Sequence, residues 1–371
     1  MCRKMHLLFS IKTAKFRNIL HIKNKNGGIA LKILLGIFIF SFIVIFHELG
    51  HFLFAKLSGI TVTEFSLGMG PRLLSHQWGE TRYSWKLIPF GGSCMMLGEE
   101  EEISNEHSFQ NKSVWKRILV VAGGPLFNFL LAFIIAIILI GNIGYDAPVL
   151  LSVPENSVAA KQGLQKGDEI LEINGKTIHF GREASNYQFF HKGKAMVIKY
   201  KRNNNIAYIT LPEEELENTY SGINGNSSYR VKTETVQTLK YSYYEVKYWI
   251  ETTLSSLKMI VTGKTDMNNV SGPVGVVKSV GKTYEAVKSS GMYYILMNML
   301  NIVLFLSVNL GVLNLIPFPA LDGGRLVFLV LEAIRGKRVN PMVENVITVG
   351  GIFVLLIFMV VVTGNDIRQL F

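Results

Sequence analysis

The stretch Phe46-His47-Glu48-Leu49-Gly50-His51 lies inside a long apolar run, and the rest of the chain is interpreted from it. Residues 33–46 carry no charge, and apolar residues resume at 52–55. A helix over 33–55 would be roughly 34 Å long, which is enough to cross a bilayer. The pattern therefore predicts a transmembrane helix over residues 33–57 with three ionisable groups inside it.

Those three groups have the spacing of a metal site. His47 and His51 are four residues apart, so on a helix they lie on one face. Two imidazoles placed in this way can occupy adjacent corners of a tetrahedral zinc site, with Glu48 beside the metal. Ionisable groups cost at least about 2.5–3.5 kcal/mol each at the bilayer centre and are kept there mainly for function. A soluble helix with surface histidines is the alternative, which the apolar composition disfavours.

The composition is typical of a membrane protein with a soluble portion. Of the 371 residues, 49% are hydrophobic,. The two cysteines, Cys2 and Cys94, cannot build a disulfide framework or a paired-cysteine zinc site,. The net charge of +11 is concentrated in a basic N-terminal tail, residues 1–32, and beside apolar runs. We therefore expect the lipid bilayer, and no nucleic acid, as a partner.

Residues 61–98 follow the first span and show the periodicity of strands. Tyr83, Trp85 and Leu87 alternate with polar residues, and glycines punctuate the segment,. We predict a membrane-associated β-hairpin. It would be either an edge strand that pairs with an unwound substrate or a structural lid.

Three further apolar runs predict transmembrane helices, over residues 116–141, 292–316 and 343–363,. The second span contains Asn128, whose amide needs a partner in lipid. We expect that partner to be a neighbouring helix or a substrate backbone. Between the second and third spans the chain changes character and becomes polar.

Residues 146–213 predict a small β-rich domain, since short apolar runs alternate there with turn residues,. The sequence of residues 163–175 resembles the signature of PDZ domains, which implies peptide binding or size gating, with a passive spacer as the alternative. Residues 214–275 predict a linker, polar to about Lys240, and an interfacial helix over 243–261. A loop is expected over 271–275.

A proline-broken segment over residues 317–338 follows the third span, and Asp322 lies within it just before another apolar run. Alone, Asp322 would be interpreted as a helix N-cap. Together with His47 and His51 it completes a set of two histidines and one carboxylate. Such a set leaves a fourth zinc position open, as in catalytic sites.

These motifs together resemble the site-2 protease family, and more narrowly its bacterial zinc intramembrane metalloproteases with a single PDZ domain. The resemblance rests on HExxH in the first span, the PDZ-like insert, and the later run Asn314-Leu315-Ile316-Pro317-Phe318-Pro319-Ala320-Leu321-Asp322-Gly323. It implies Zn²⁺ on His47, His51 and Asp322, Glu48 as the catalytic acid and base, and Asn314 as a substrate or oxyanion contact. The fold class expected is a mainly α-helical polytopic membrane protein with about four transmembrane helices.

The function implied is zinc-dependent cleavage of transmembrane segments by an intramembrane endopeptidase. Its substrates would be single-span membrane proteins or signal-peptide remnants, anti-sigma factors among them. We expect a multi-pass protein of the cell membrane with the PDZ-like domain outside and the hairpin loop in the cytoplasm. Cations beside the internal spans support this orientation, whereas the basic tail favours the reverse.

Two other classes of function remain open at this point. A PDZ-containing membrane scaffold could keep the zinc for structure alone. An ion-coupled transporter could place intramembrane histidine, glutamate and aspartate on an ion path.

Overall fold

The computed structural model describes residues 2–99, 103–216, 223, 229–264 and 270–369. Parts of the predicted linker, residues 217–222, 224–228 and 265–269, lie outside this range. The chain divides into two compact units, one made of residues 1–128 with 265–371 and the other of residues 129–264.

Most of the described chain is helical, because long apolar stretches satisfy their backbone groups internally as helices. In the part of the chain that the structure describes, four helices are long and apolar enough to cross a membrane, with spans at Ala30–Leu57, Val114–Ile143, Met292–Leu315 and Pro341–Arg368. This confirms the mainly helical, four-span part of the prediction. The helices are α1 (Cys2–Leu57), α2 (Val114–Ile143), α3 (Val158–Lys161), α4 (Gly181–Phe190), α5 (Glu213–Leu216), α6 (Thr235–Val261), α7 (Pro273–Val287), α8 (Met292–Leu315), α9 (Asp322–Arg335) and α10 (Pro341–Arg368).

Two long antiparallel strands, β1 (Val62–Trp78) and β2 (Thr81–Met96), follow the first span. Both strands bend, so Phe65 pairs with Cys94 on one side and with Tyr83 on the other. The two strands therefore form four adjacent segments, in the order 92–96, 62–67, 82–86 and 72–78. Segment 92–96 is an edge of this sheet.

The bends in β1 and β2 occur at glycines. Gly68, Gly70 and Gly91 have φ values of 85°, 86° and 87°, which other residues rarely adopt,. Arg72 then turns back to donate to the Glu64 carboxylate at 2.9 and 2.7 Å. This bidentate pair closes the bend.

The second unit contains a four-stranded sheet in the order β5-β4-β6-β7. A tight turn at Asn174, with φ of 49°, joins β4 to β5,. Apolar residues of the sheet and of α3 and α4 form one buried cluster. The strands of this unit are β3 (Tyr145–Asp146), β4 (Glu169–Ile173), β5 (Lys176–Thr177), β6 (Met196–Arg202), β7 (Asn205–Leu211) and β8 (Arg230–Val231). That this unit is a PDZ-like domain stays a prediction.

The polar linker ends earlier than its sequence predicts, because α6 begins at Thr235 rather than beyond Lys240. Thr238 and Ser242 are buried, and their hydroxyls donate to helix carbonyls one turn back at 3.0 and 2.7 Å. Tyr241 stacks on Tyr145 of β3 at 3.7 Å between ring centroids. Tertiary packing thus stabilises a helix in a segment for which polarity alone predicts a linker.

The prediction of a loop over 271–275 is wrong from Pro273 onwards, where α7 begins. Proline is favoured at the first position of a helix. The Asp366 carboxylate of α10 accepts from the backbone N–H groups of Gly272 and Gly275 at 3.1 and 2.7 Å. A cap supplied from a distant helix leaves no local signal in the sequence.

The elements around the HExxH motif share one apolar core. The backbones of α1 and α2 approach so closely at Gly50 and Gly123 that a Cβ at Gly50 would overlap the Gly123 carbonyl oxygen,. Cys94 and Met96 of β2 pack into the same core, as does Leu329 of α9. This packing brings α1, α2, β2 and α9 together around the two histidines.

Candidate metal centre

Helix α1 presents His47 and His51 on adjacent turns. Their Nε2 atoms lie 3.2 Å apart, and the two ring planes make an angle of 86°. Neighbouring turns of one helix thus aim both ring nitrogens at a common point.

Asp322, the first residue of α9, meets the histidines at that point. Its Oδ2 lies 3.2 Å from Nε2 of His47 and 3.4 Å from Nε2 of His51. The prolines that end the third span reverse the chain there, with Ala320 at φ of 81°, so α9 starts beside α1. The structure thus brings the three predicted ligands together.

The roles of the ring nitrogens follow from their other partners. Nδ1 of His51 lies 2.9 Å from the carbonyl oxygen of Val120. A carbonyl only accepts, so this Nδ1 carries the proton and Nε2 of the neutral ring carries the lone pair. The carbonyl therefore directs the lone pair of His51 into the centre.

Asn128 determines which ring nitrogen of His47 carries the proton, as the Val120 carbonyl does for His51. Its amide nitrogen stands 3.1 Å from Nδ1 of His47, while its buried Oδ1 has no hydrogen-bond partner among the described residues. A half-turn of the Asn128 side-chain amide exchanges the positions of its oxygen and nitrogen. With Oδ1 turned to Nδ1, the oxygen is satisfied, Nδ1–H donates, and the Nε2 lone pair of His47 also faces the centre. Of the two predicted roles of Asn128, the contact with a neighbouring helix is the one observed.

Two nitrogen lone pairs and a carboxylate oxygen thus converge, and the Asn314 amide nitrogen lies 3.4 Å from one of them, Nε2 of His47. Asp322 Oδ2 is buried and has no hydrogen-bond partner within the described chain. Three such acceptors repel one another unless a proton or a metal ion lies between them. In a tetrahedral zinc site the ligand atoms are roughly 3.3–3.5 Å apart, and the three separations here are 3.2, 3.2 and 3.4 Å. The donor set and its spacing fit zinc.

Gly124 of α2 leaves room for this arrangement. A Cβ at this position would lie 2.6 and 2.8 Å from Cε1 and Nε2 of His47, and closer still to Nε2 of His51. Any side chain here would displace both rings.

Glu48 follows His47 and lies at the sheet edge. The Cys94 backbone N–H donates to its carboxylate. A Cβ at Gly92 would be 3.0 Å from the Glu48 Cγ, so the edge segment passes directly against Glu48. The remaining predicted residue, Asn314, has its amide nitrogen 3.4 Å from Nε2 of His47, at the border of the centre.

Sequence reasoning missed the part that α2 plays. Val120, Gly124 and Asn128 are spaced four apart and present one face to the two histidines,. The spacing of Gly124 and Asn128 is visible in the sequence. A carbonyl such as that of Val120 has no residue-type signal, because every residue carries one.

Comparison with known proteins agrees with this geometry. The protein-family model described as peptidase family M50 matches residues 35–358. A relative from Clostridium acetobutylicum, a candidate zinc metalloprotease by its name, is 35% identical over 336 aligned positions that cover 90% of this chain and 97% of the relative. Zinc metalloprotease RasP of Bacillus licheniformis is 30% identical over 424 positions, with 90% and 98% covered.

Regulator of sigma-W protease RasP of Bacillus subtilis is 30% identical over 420 positions, covering 90% of this chain and 98% of that protein. These matches span the histidine motif, the aspartate segment and everything between them. The family favours a peptidase over the scaffold and the transporter. The chain is a multi-pass zinc metalloprotease that belongs to peptidase family M50, the site-2 protease family.

Proposed function

We propose that this protein is an intramembrane endopeptidase that cleaves transmembrane segments of membrane proteins. The observation that carries the proposal is the convergence of His47, His51 and Asp322 on one point in an apolar helix pair. Such polar groups are expensive within lipid unless they work there. We assign the zinc to these three side chains. When bound, zinc supplies Lewis acidity that polarises the scissile carbonyl and makes the attacking water more acidic.

Glu48 is the general base and acid of the proposed reaction. It is next to His47 in sequence, and its carboxylate is oriented by the Cys94 N–H. Glu48 takes the proton from the attacking water and then gives it to the leaving nitrogen. The Asn314 amide, 3.4 Å from His47 Nε2, is placed to donate a hydrogen bond to the carbonyl oxygen as negative charge develops on it.

Segment 92–96 is proposed as the surface that holds the substrate. A helical substrate hides its carbonyls in its own hydrogen bonds, so the part to be cut must unwind. Segment 92–96 is an edge of the sheet and passes against Glu48. An unwound segment that pairs with this edge would lie extended beside the general base.

The hairpin itself is proposed to contact lipid. Several of its large apolar side chains are exposed, among them Leu74 at 66% and Trp78 at 76%. Exposed apolar surface of this kind marks membrane or substrate contact. The structural-lid alternative has no comparable support.

We further propose that the second unit is a PDZ-like domain that selects substrates by size or by a chain terminus. Its sheet and helices α3 and α4 enclose a separate core, which supports an independent module. We place this domain outside the cell and the hairpin loop in the cytoplasm, following the cations near the internal spans. These cations are Lys56, Arg72, Arg82, Lys86, Lys112, Lys116, Arg117, Arg325, Arg335, Lys337 and Arg338.

The substrates proposed are single-span membrane proteins and signal-peptide remnants. The Bacillus subtilis relative is named as a regulator of sigma-W protease, which supports anti-sigma factors as one class. The deciding experiment reconstitutes the purified protein in proteoliposomes with a single-span substrate. Cleavage should stop with a chelator, return with zinc, and be absent in Glu48→Gln. A zinc-loaded protein that leaves such substrates uncut, in a panel that includes an anti-sigma factor and a signal-peptide remnant, would contradict the proposal.

A further inference from the structure

Helix α9, which carries Asp322, is tied to α2 by a buried ion pair far from the metal centre. Arg117 of α2 donates from Nη1 and Nη2 to the two carboxylate oxygens of Glu332, at 3.0 and 2.5 Å. The Arg117 Nε donates to the carbonyl of Lys112 at 3.1 Å. The Arg117 side chain is 5% exposed and that of Glu332 is 16% exposed. A bidentate pair with this little water around it fixes direction as well as distance.

The same face of α2 that bears Arg117 also contacts both histidines. Arg117, Gly124 and Asn128 are seven and four residues apart, so they project from one side of the helix. Gly124 lies against both rings, and Asn128 reaches Nδ1 of His47. Helix α2 therefore contacts both histidine ligands directly, and through Arg117 it also holds the helix of the third ligand.

Because α9 is a continuous helix, the position of its C-terminal end affects the position of its first residue. Asp322 begins this helix, and Glu332 lies ten residues later, about 15 Å away,. Leu329 between them is buried in the core that includes Val121 of α2. A tilt of about 5° about the Glu332 end would move Asp322 by about 1.3 Å, whereas metal–ligand distances tolerate roughly 0.2 Å. A small tilt at the Glu332 end would therefore carry Asp322 away from the histidines.

We propose that Arg117 and Glu332 are positioning residues that hold Asp322 in register with His47 and His51. This role rests on the proposed assignment of zinc to those three side chains. Neither residue touches the metal centre. The pair acts by fixing the direction of the α9 axis. A lysine could not replace Arg117 in this role, because its single ammonium group cannot form two parallel hydrogen bonds to the carboxylate.

The test measures how fast zinc leaves the full-length protein in detergent when a chelator is in excess. Arg117→Lys keeps the charge and loses the fork, so its zinc should leave about tenfold faster, in the range seen for residues that orient metal ligands. Glu332 also lies 3.8 Å from Nε of Arg338, so Glu332→Gln, which removes the carboxylate from both arginines, should release zinc at least as fast as Arg117→Lys. The matched control is Arg335→Lys on α9, because Arg335 is exposed and has no ion pair among the described residues.

Thermal unfolding of the zinc-free proteins separates positioning from simple stability. The proposal requires faster zinc release in Arg117→Lys at a zinc-free unfolding temperature close to that of the parent. A parental release rate in Arg117→Lys would overturn it. So would a parental release rate in Glu332→Gln. If His47→Ala retains as much zinc as the parent, the assignment of the metal site itself fails, which is a different result.

Discussion

Replacing Gly124 by alanine should weaken zinc binding at the centre. The new methyl group would sit 2.6 Å from Cε1 and 2.8 Å from Nε2 of His47. Ordinary van der Waals contact begins near 3.4 Å, so the ring must retreat by about 0.6–0.8 Å. Zinc sites tolerate shifts of roughly 0.2 Å in ligand distance. We therefore expect zinc affinity to fall by about a hundredfold, the upper end of losses from residues that orient ligands.

Gly124 immediately precedes Pro125 inside α2, and a proline ring disfavours helical backbone at a preceding residue that carries a Cβ,. The thermal unfolding of the zinc-free protein is therefore measured beside zinc affinity, which separates a loss of helix stability from displacement of the histidine rings. Gly350→Ala in α10 is the matched control, because a Cβ there meets no atom of the described residues within 4 Å. Zinc affinity is measured by chelator competition on the purified proteins. Equal affinities in Gly124→Ala and Gly350→Ala would refute the geometry derived for the centre.

Three further predictions follow from the same structure. Glu48→Gln should keep one zinc per chain yet lose at least about 10²-fold in cleavage rate, and a loss of zinc instead would show that Glu48 is a ligand. Asn128→Ala should lower zinc affinity about 10- to 100-fold by releasing the His47 ring, and an unchanged affinity in chelator competition would contradict that role. In the second unit, burial raises the pKa of Glu183 to about 7 from an ordinary 4.5. The folded domain holds this proton more tightly than the unfolded chain, so protonated Glu183 adds up to about 3 kcal/mol to the free energy of unfolding. This contribution is complete below pH 4.5 and is lost as pH rises through 7. Burial lowers the pKa of the neighbouring His179, which changes stability with pH in the opposite sense, so Glu183→Gln is used to isolate the contribution of Glu183. The free energy of opening, measured by hydrogen exchange of β4 and β6 amides, should decline less from pH 5 to 8 in Glu183→Gln than in the parent. Identical pH profiles of the two proteins would count against this assignment.

The three residues of the candidate metal centre could be singled out from the sequence because each has a strong local context. The i, i+4 spacing of His47 and His51 in an uncharged run is visible in a single helix. Asp322 is far away in sequence, but it is an acid in an apolar segment, and such residues need a functional reason. The four spans were predictable for the same reason, since hydropathy depends only on composition within a window.

The partners of those ligands were not predictable, because they depend on which faces of distant helices meet. The sequence allowed Asn128 to bond either another helix or a substrate, and only the packing of α2 against α1 selects His47. The carbonyl of Val120 carries no residue-type signal at all. Likewise, α7 is capped by Asp366, which lies about 90 residues later in the chain,.

Tertiary packing also accounts for the helix boundary that sequence reasoning misplaced. Thr238, Ser242 and Tyr241 are residues that a linker would contain, yet their hydroxyls and ring find partners within the second unit. Helix propensity is a weak preference that such contacts override. A polar segment bounded by tyrosines is therefore compatible with either state until its neighbours are known.

X-ray absorption at the zinc edge of the purified Glu48→Gln protein would examine the ligand set most directly. We predict two imidazole nitrogens and one carboxylate oxygen from the protein, all at about 2.0–2.2 Å, with no sulfur. Cys94 lies close to the centre, through its backbone contact with Glu48. A zinc–sulfur distance of about 2.3 Å, or a signal with fewer than two imidazoles, would contradict the assignment of His47, His51 and Asp322.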